Sequence, residues 1–407
     1  VSGQGLRARR PAPWVIVFGL IFVLSWSGNQ FTPLLLLYKE QEHYSSLAVN
    51  AFLGVYVLGL APSLLLTGAL SDRFGRRPLM IVGVFAAIAG SGFLALGVFG
   101  TAELYIGRLL AGVAVGVAMA VGTSWIKEIS QAPYEPAADF GSGARRASLG
   151  FTLGSASGAL VAGSIAQWTP FGTVLPFVIN IALAVPFLWF TLRVPETSLT
   201  RGVRGPLREQ LRIPAAGHKR FIRVVVVMAP WLFVAASLGY GYLPVLLSAS
   251  TTGFGVAYAT LLCVVMLGTS SLIQPVAKRL DSSSSARSLL TGFVIIVVGL
   301  LGVLLADHLQ SLLLGVVVAF VLGAGFGIGL LSSLLEVQRI AGPRDLAGLT
   351  GLFYAIAYVG FLAPAALAAI TPLIPTDMLL LVVTAFAVIG VVLVLVSNRK
   401  HLPGTPH

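Results

Sequence analysis

Apolar residues in this chain come neither at every second position nor in a narrow helical stripe. They fill unbroken runs separated by short charged or Pro/Gly-rich breaks. Cutting at the breaks predicts spans at residues 14–38, 46–69, 78–100, 103–127, 146–168 and 172–192, then 221–248, 254–277, 286–306, 310–335, 346–370 and 377–397. A helix needs about 20 mostly apolar residues to cross a bilayer core, and each run has that length. Within lipid only helices and closed barrels satisfy their own backbone, so runs this long predict helices. Twelve of them consume the chain, and the longest polar stretch, Arg193 to Arg223, reads as a connector. The pattern also repeats. The first span opens near Trp14 with a charged hinge at Gly68, and the seventh opens near Phe221 with a hinge at Gln274 to Asp281 at a similar offset.

Composition and charge sharpen this picture. A chain of 407 residues that is 57% hydrophobic, with mean hydropathy +0.94, exceeds what a soluble core uses. The net charge of +12 would suit nucleic acid, but its placement argues otherwise. With the N-terminus inside, every Lys and Arg except Lys39 and Arg108 falls on the inner side of the predicted helices. This is the positive-inside pattern, and it predicts cytoplasmic termini, a multi-pass plasma-membrane protein and no nucleic-acid partner. The run from Trp14 to Tyr38 is too long for the apolar part of a signal peptide and reads as the first span. The lone Cys263 leaves no intrachain disulfide and no cysteine metal site. No phosphate-binding loop, nucleophile triad or metal-ligand spacing occurs, so neither an enzyme nor a bound cofactor or metal is expected.

Candidate chemistry concentrates at residues 68–80, Gly-Ala-Leu-Ser-Asp-Arg-Phe-Gly-Arg-Arg-Pro-Leu-Met, where Asp72, Arg73, Arg76 and Arg77 sit between two apolar runs. Gly68, Leu70, Asp72, Arg73, Gly75, Arg76 and Arg77 match the Gly-x-Leu-x-Asp-Arg-x-Gly-Arg-Arg loop, and the chain resembles the major facilitator superfamily. The resemblance implies an all-α membrane protein, twelve helices in two pseudo-symmetric six-helix bundles, with a small-molecule substrate bound between them near the midplane. The expected units are residues 1–195, a basic connector at 196–220, and residues 221–407. The hinge is then expected to be a gate. Gly68 brings helix 2 against helix 11, and Asp72 lies at the N-terminal end of helix 11, near Asp345 to Leu349. Gly75 makes the turn, Pro78 starts helix 3, and Arg76 reaches Glu128, with Arg73 and Arg77 supporting the relay or binding lipid. The alternative is a loop whose arginines only hold the orientation.

Arg108 lies inside the fourth span, where a charge is costly and needs a partner or a wet cavity. Arg108, Gly112 and Gly116 resemble the superfamily's fourth-helix motif, with the arginine facing helix 1, where Asn29 and Gln30 offer amides at a similar depth. Gly112 and Gly116, like Gly154 and Gly158 in the glycine-rich fifth span, have the spacing of close helix packing. Val194-Pro195-Glu196-Thr197 resembles a signature shared by sugar porters and some drug exporters. Trp231, Tyr240, Tyr354 and Tyr358 are candidate substrate contacts, suited to a neutral or weakly anionic amphipath. The motifs lie closest to the drug-exporter branch, which implies efflux by alternating access. No acid lies deep in a span, which leaves coupling to a proton gradient open. The alternatives are a facilitator or proton symporter for a small organic anion or other metabolite and, from another class, a non-transporting receptor or scaffold. The connector is expected on anionic headgroups and the protein as a monomer.

Overall fold

The structure, a computed structural model, describes residues 12–40, 44, 46–138, 141–198, 213–341, 346–400 and 402. Arg201, Arg204, Arg208 and Arg212 of the connector lie outside the described residues, as does Asp345. Twelve long apolar helices are present. They are α1 (Pro13–Lys39, broken by a turn at residues 30–33), α2 (Ala51–Phe74), α3 (Arg76–Val98), α4 (Thr101–Ile129), α5 (Ser142–Trp168) and α6 (Leu175–Leu192). The second set is α7 (Phe221–Leu246), α8 (Gly255–Leu272), α9 (Arg287–Leu309), α10 (Leu312–Ile340), α11 (Gly348–Ile370) and α12 (Thr376–Ser397). The protein is a multi-pass membrane protein built as two six-helix bundles. Below, "inner" denotes the end that carries the basic loops.

Lipid tails are as apolar as the side chains, so packing rather than water exclusion holds such helices together, and small residues decide where backbones approach. In the first half α4 lies on α2. A Cβ on Gly112 would stand 2.1 Å from the Tyr56 carbonyl, and one on Gly116 2.9 Å from that of Leu60. The fifth helix lies on α1 in the same way, with Gly154 against the Phe22 carbonyl and Gly158 against that of Trp26. In the second half, Gly323 and Gly327 seat α10 on the Met266 and Ser270 carbonyls of α8, while Gly325 and Gly292 meet between α10 and α9. The run of glycines in α10 is therefore a packing surface on two sides.

The halves touch along two seams. One is α2 with α11, where Gly351 approaches the Leu64 carbonyl. The other is α5 with α8, where Gly163 accepts Thr260. At the outer end of that second seam the Gln167 side chain donates to the Gly253 carbonyl and accepts from the Ala257 backbone N–H, both at 2.9 Å. At the inner end Gln274 donates to Ser148 at 2.6 Å. Two helices facing the space between the seams carry π-helical turns, Ala118–Gly122 in α4 and Ser237–Tyr242 in α7. Such turns widen a helix locally and redirect its side chains.

Candidate functional site

Arg108 organises the centre. It is 1% exposed, and its guanidinium donates to two backbone carbonyls, Gly28 at 3.0 Å and Phe52 at 3.3 Å. Its charge also lies over the rings of Tyr56, 4.4 Å from the centroid, and Phe31, at 4.9 Å. Rings attract a cation through their negative faces, and the turn that breaks α1 just beyond Gly28 leaves that carbonyl free to accept. No carboxylate pairs with Arg108 among the described residues. The expected partners on helix 1 are thereby corrected: the arginine does face α1, but it takes a backbone carbonyl there and not the amides of Asn29 or Gln30. Asn29 donates to the Ser155 carbonyl at 3.2 Å and to the Cys263 sulfur at 3.3 Å, tying α1 to α5 and α8. Gln30 turns the other way, donating to Ser91, which in turn donates to Asn180.

Beside Arg108 lies a cavity of about 30 Å³, room for about one water, lined in part by Asn29, Tyr56, Tyr240 and Tyr358. A plug of rings from both halves closes it. Tyr56 of α2 meets Tyr358 and Phe361 of α11, with centroids 6.3 and 6.4 Å apart. Phe233 of α7 stacks on Tyr358 at 3.8 Å. The Tyr358 hydroxyl reaches the Met119 sulfur of the α4 π turn at 3.6 Å. Inward of the plug is a cavity of about 100 Å³, walled by Met119, Phe151, Leu330 and Tyr354 with Ser124, Lys127 and Gln338 among its polar members. Outward is one of about 440 Å³ that includes Lys39, Leu53, Tyr242 and Thr371.

Tyr240, Tyr358 and Asn29 thus line the central cavity and Tyr354 the inner one, whereas Gln30 and Trp231 line neither. Trp231 packs on Phe293, 6.1 Å between centroids, beside Gly390 of α12. Tyr56, Phe233, Phe361 and Lys127 were missed. Each is a common residue in an apolar run or a basic loop, and no spacing marks it. Only Tyr56 carried a signal, being a hydroxyl-bearing ring in the middle of a predicted span.

The hinge between α2 and α3 is built around one arginine and one glycine. Arg76, 7% exposed, pairs with Asp72 at 2.7 Å and with Glu128 of α4 at 2.8 Å, and also donates to Ser71. The predicted reach from Arg76 to Glu128 is present. Gly75 has φ of +107°, a region that favours glycine, and a Cβ there would fall 2.5 Å from the Glu196 carboxylate. That carboxylate, at the end of α6, accepts from the backbone N–H groups of Arg76 at 2.8 Å and Arg77 at 3.0 Å. It also accepts from those of Thr197 and Ser198. Partial burial pushes its pKa up, but the four N–H groups together hold it below the ordinary 4.5. Glu196 therefore caps α3, a role that the Val-Pro-Glu-Thr resemblance did not reveal. Because α3 begins at Arg76, Pro78 occupies its third position and not its first. Arg77 donates to the Val194 carbonyl at 2.6 Å, and Arg73 lies over the neighbouring Phe74 ring. Gly68 is buried in α2, and the observed close approach to α11 is at Leu64, about one turn away.

Two bundles meeting at a plugged midplane, with a cavity on either side, define a membrane transporter. The profile of the Major Facilitator Superfamily matches residues 15–364, and the chain belongs to that family. It is 34% identical over 154 residues to the multidrug efflux pump LfrA of Mycolicibacterium smegmatis, a match covering 35% of this chain and 27% of that protein. Among solved structures it is similar to the nucleoside transporter NupG, with TM-score 0.71 and 12% identity over 94% of this chain and 99% of that one. It is also similar to a D-xylose-proton symporter, at 0.72 and 14% over 96% and 97%. A POT family transporter in complex with 5-aminolevulinic acid superposes at 0.75 and 10% over 95% and 96%. At such identities the likeness speaks for the fold alone.

Proposed function

We propose that this protein exports amphipathic small molecules across the plasma membrane by alternating access, with both termini in the cytoplasm. The observation that carries the reading is the aromatic plug, whose rings come from α2, α7 and α11 and separate an inner from an outer cavity. A plug made by both halves opens when they rock apart, and its rings suit an apolar body carrying few polar groups. Residues 1–195 and 221–407 are the moving units, and the connector between them rests on anionic headgroups through its basic residues other than Arg220, which is buried against Glu336. Export is supported by the partial similarity to a multidrug efflux pump. In cells loaded with an amphipathic dye, expression should lower accumulation, and Tyr358→Ala should restore it. Equal accumulation with and without the protein would refute export.

Asp72, Arg76 and Glu128, with Gly68 and Gly75, form the inner gate in this reading, and Asp72 faces the positive end of α11 when the gate is shut. Asp72→Asn keeps every positive charge, so it should insert normally yet lose transport. The gate equilibrium should shift by about 0.3–2 kcal/mol toward the inward-open state. Spin-label distances between the inner ends of α2 and α11 would report this, and unchanged distances with full transport would sink the gate.

A further inference from the structure

The three cavities share a pattern of charge that bears on what passes through them. Among the described residues, and apart from tyrosine, each is lined by a single ionisable side chain: Lys127 in the inner cavity, Arg108 in the central one and Lys39 in the outer one. All three are cations, and none of them pairs with a carboxylate among the described residues. None of the described Asp or Glu side chains lines these cavities. The described acids of the inner end are already engaged. Glu128 and Asp72 are held by Arg76, Glu336 by Arg220, Asp281 by Arg339, Glu135 by Arg146, and Glu196 by four backbone N–H groups. A cation in a poorly solvated site without a counter-ion is costly, and an anion arriving there recovers that cost. A permanently cationic amphipath would instead meet like charge at every stage.

We infer that the substrate is an amphipathic anion, an apolar body bearing one carboxylate, sulfonate or phosphate, handed from Lys127 past Arg108 to Lys39 as the plug opens. Rings of the plug cover the apolar body while the cations hold the head. The inference rests on the proposed export of amphipaths and adds the sign of the charge. It makes Lys127 and Lys39 specificity-determining, and both lie at cavity edges where substitution leaves the packed centre intact.

The test uses the full chain in proteoliposomes at neutral pH, with the membrane potential clamped to zero and empty liposomes as controls. Three probes share one dansylated alkyl skeleton and end in a carboxylate, an alcohol or a trimethylammonium group. The carboxylate should be transported with kcat/KM about tenfold or more above the ammonium compound, as one charge-assisted contact implies. Lys127→Gln should lower kcat/KM for the carboxylate about tenfold and change that for the alcohol less than about twofold, with Lys127→Glu and Lys39→Gln moving in the same direction. Transport of the alcohol or ammonium probe with exclusion of the carboxylate would overturn the inference and leave the export reading standing. So would equal carboxylate transport by wild type and Lys127→Glu. Transport of none of the three would overturn both.

Discussion

The inner ends of the two halves each hold an arginine bound to a glutamate at the end of a cavity-lining helix, yet the two clusters are built differently. In the second half Arg220 meets Glu336 of α10 through two parallel bonds of 2.7 Å, with side chains 0% and 4% exposed. The same guanidinium binds the Asn398 and Lys400 carbonyls beyond α12, so three segments are stapled by one residue. In the first half Arg76 is divided among Asp72, Glu128 and Ser71, and Glu128 is 33% exposed and also bound by Thr197. A dry bidentate pair is expensive to open because both charges are stranded, whereas a branched pair that keeps water can exchange partners at little cost. The first cluster is thus suited to a moving gate and the second to a fixed seam.

That contrast can be broken most severely at Arg220. Arg220→Met leaves buried Glu336 with only the more distant Arg339 guanidinium, 3.5 Å away and shared with Asp281, and should destabilise the protein by up to about 3–5 kcal/mol, whereas the double variant Arg220→Met/Glu336→Leu should recover most of the loss. Thermal unfolding in detergent would show it, and a single variant as stable as wild type would erase the distinction. A smaller effect is expected at Gly75. Gly75→Ala forces a side chain into φ of +107° against the Glu196 carboxylate and should cost about 1–3 kcal/mol, read as a lowered unfolding temperature.

Smaller again is Glu196→Gln, which keeps the shape of the α3 cap and loses its charge, for about 0.3–1 kcal/mol. Its sign with pH is defined. Because the folded carboxyl titrates below the ordinary 4.5, its contribution is present above that pH and is lost as the pH falls through the lowered value. The unfolding temperatures of wild type and Glu196→Gln should therefore converge in acid. The smallest change is expected from Glu135→Gln. The Arg146 guanidinium holds the Glu135 carboxyl below its usual value, but the pair is partly exposed and worth about 0–1 kcal/mol. Adding salt should shrink the difference from wild type further.

How much was legible differs from residue to residue. The contact between Arg76 and Glu128 could be anticipated because both stand at the ends of apolar runs, where depth is known from the run itself. The partners of Arg108 could not. They are backbone carbonyls of Gly28 and Phe52, which every residue type offers equally. Glu336 stands at the end of the tenth run much as Glu128 does at the fourth, yet its partner Arg220 is one of many basic residues in and around the connector, and only the fold selects it.

By itself the sequence determined the twelve crossings, their two-fold repeat, the side on which the charges lie and the family hinge. Each of these follows from local composition measured against a bilayer of known thickness. The tertiary structure alone decided which glycine meets which carbonyl, that Gln30 and Trp231 turn away from the cavities, and that Tyr56, Phe233 and Phe361 form the plug. Those choices depend on the rotation of each helix about its own axis. In a helix apolar on every face the sequence does not mark that rotation, and contacts between helices distant along the chain set it.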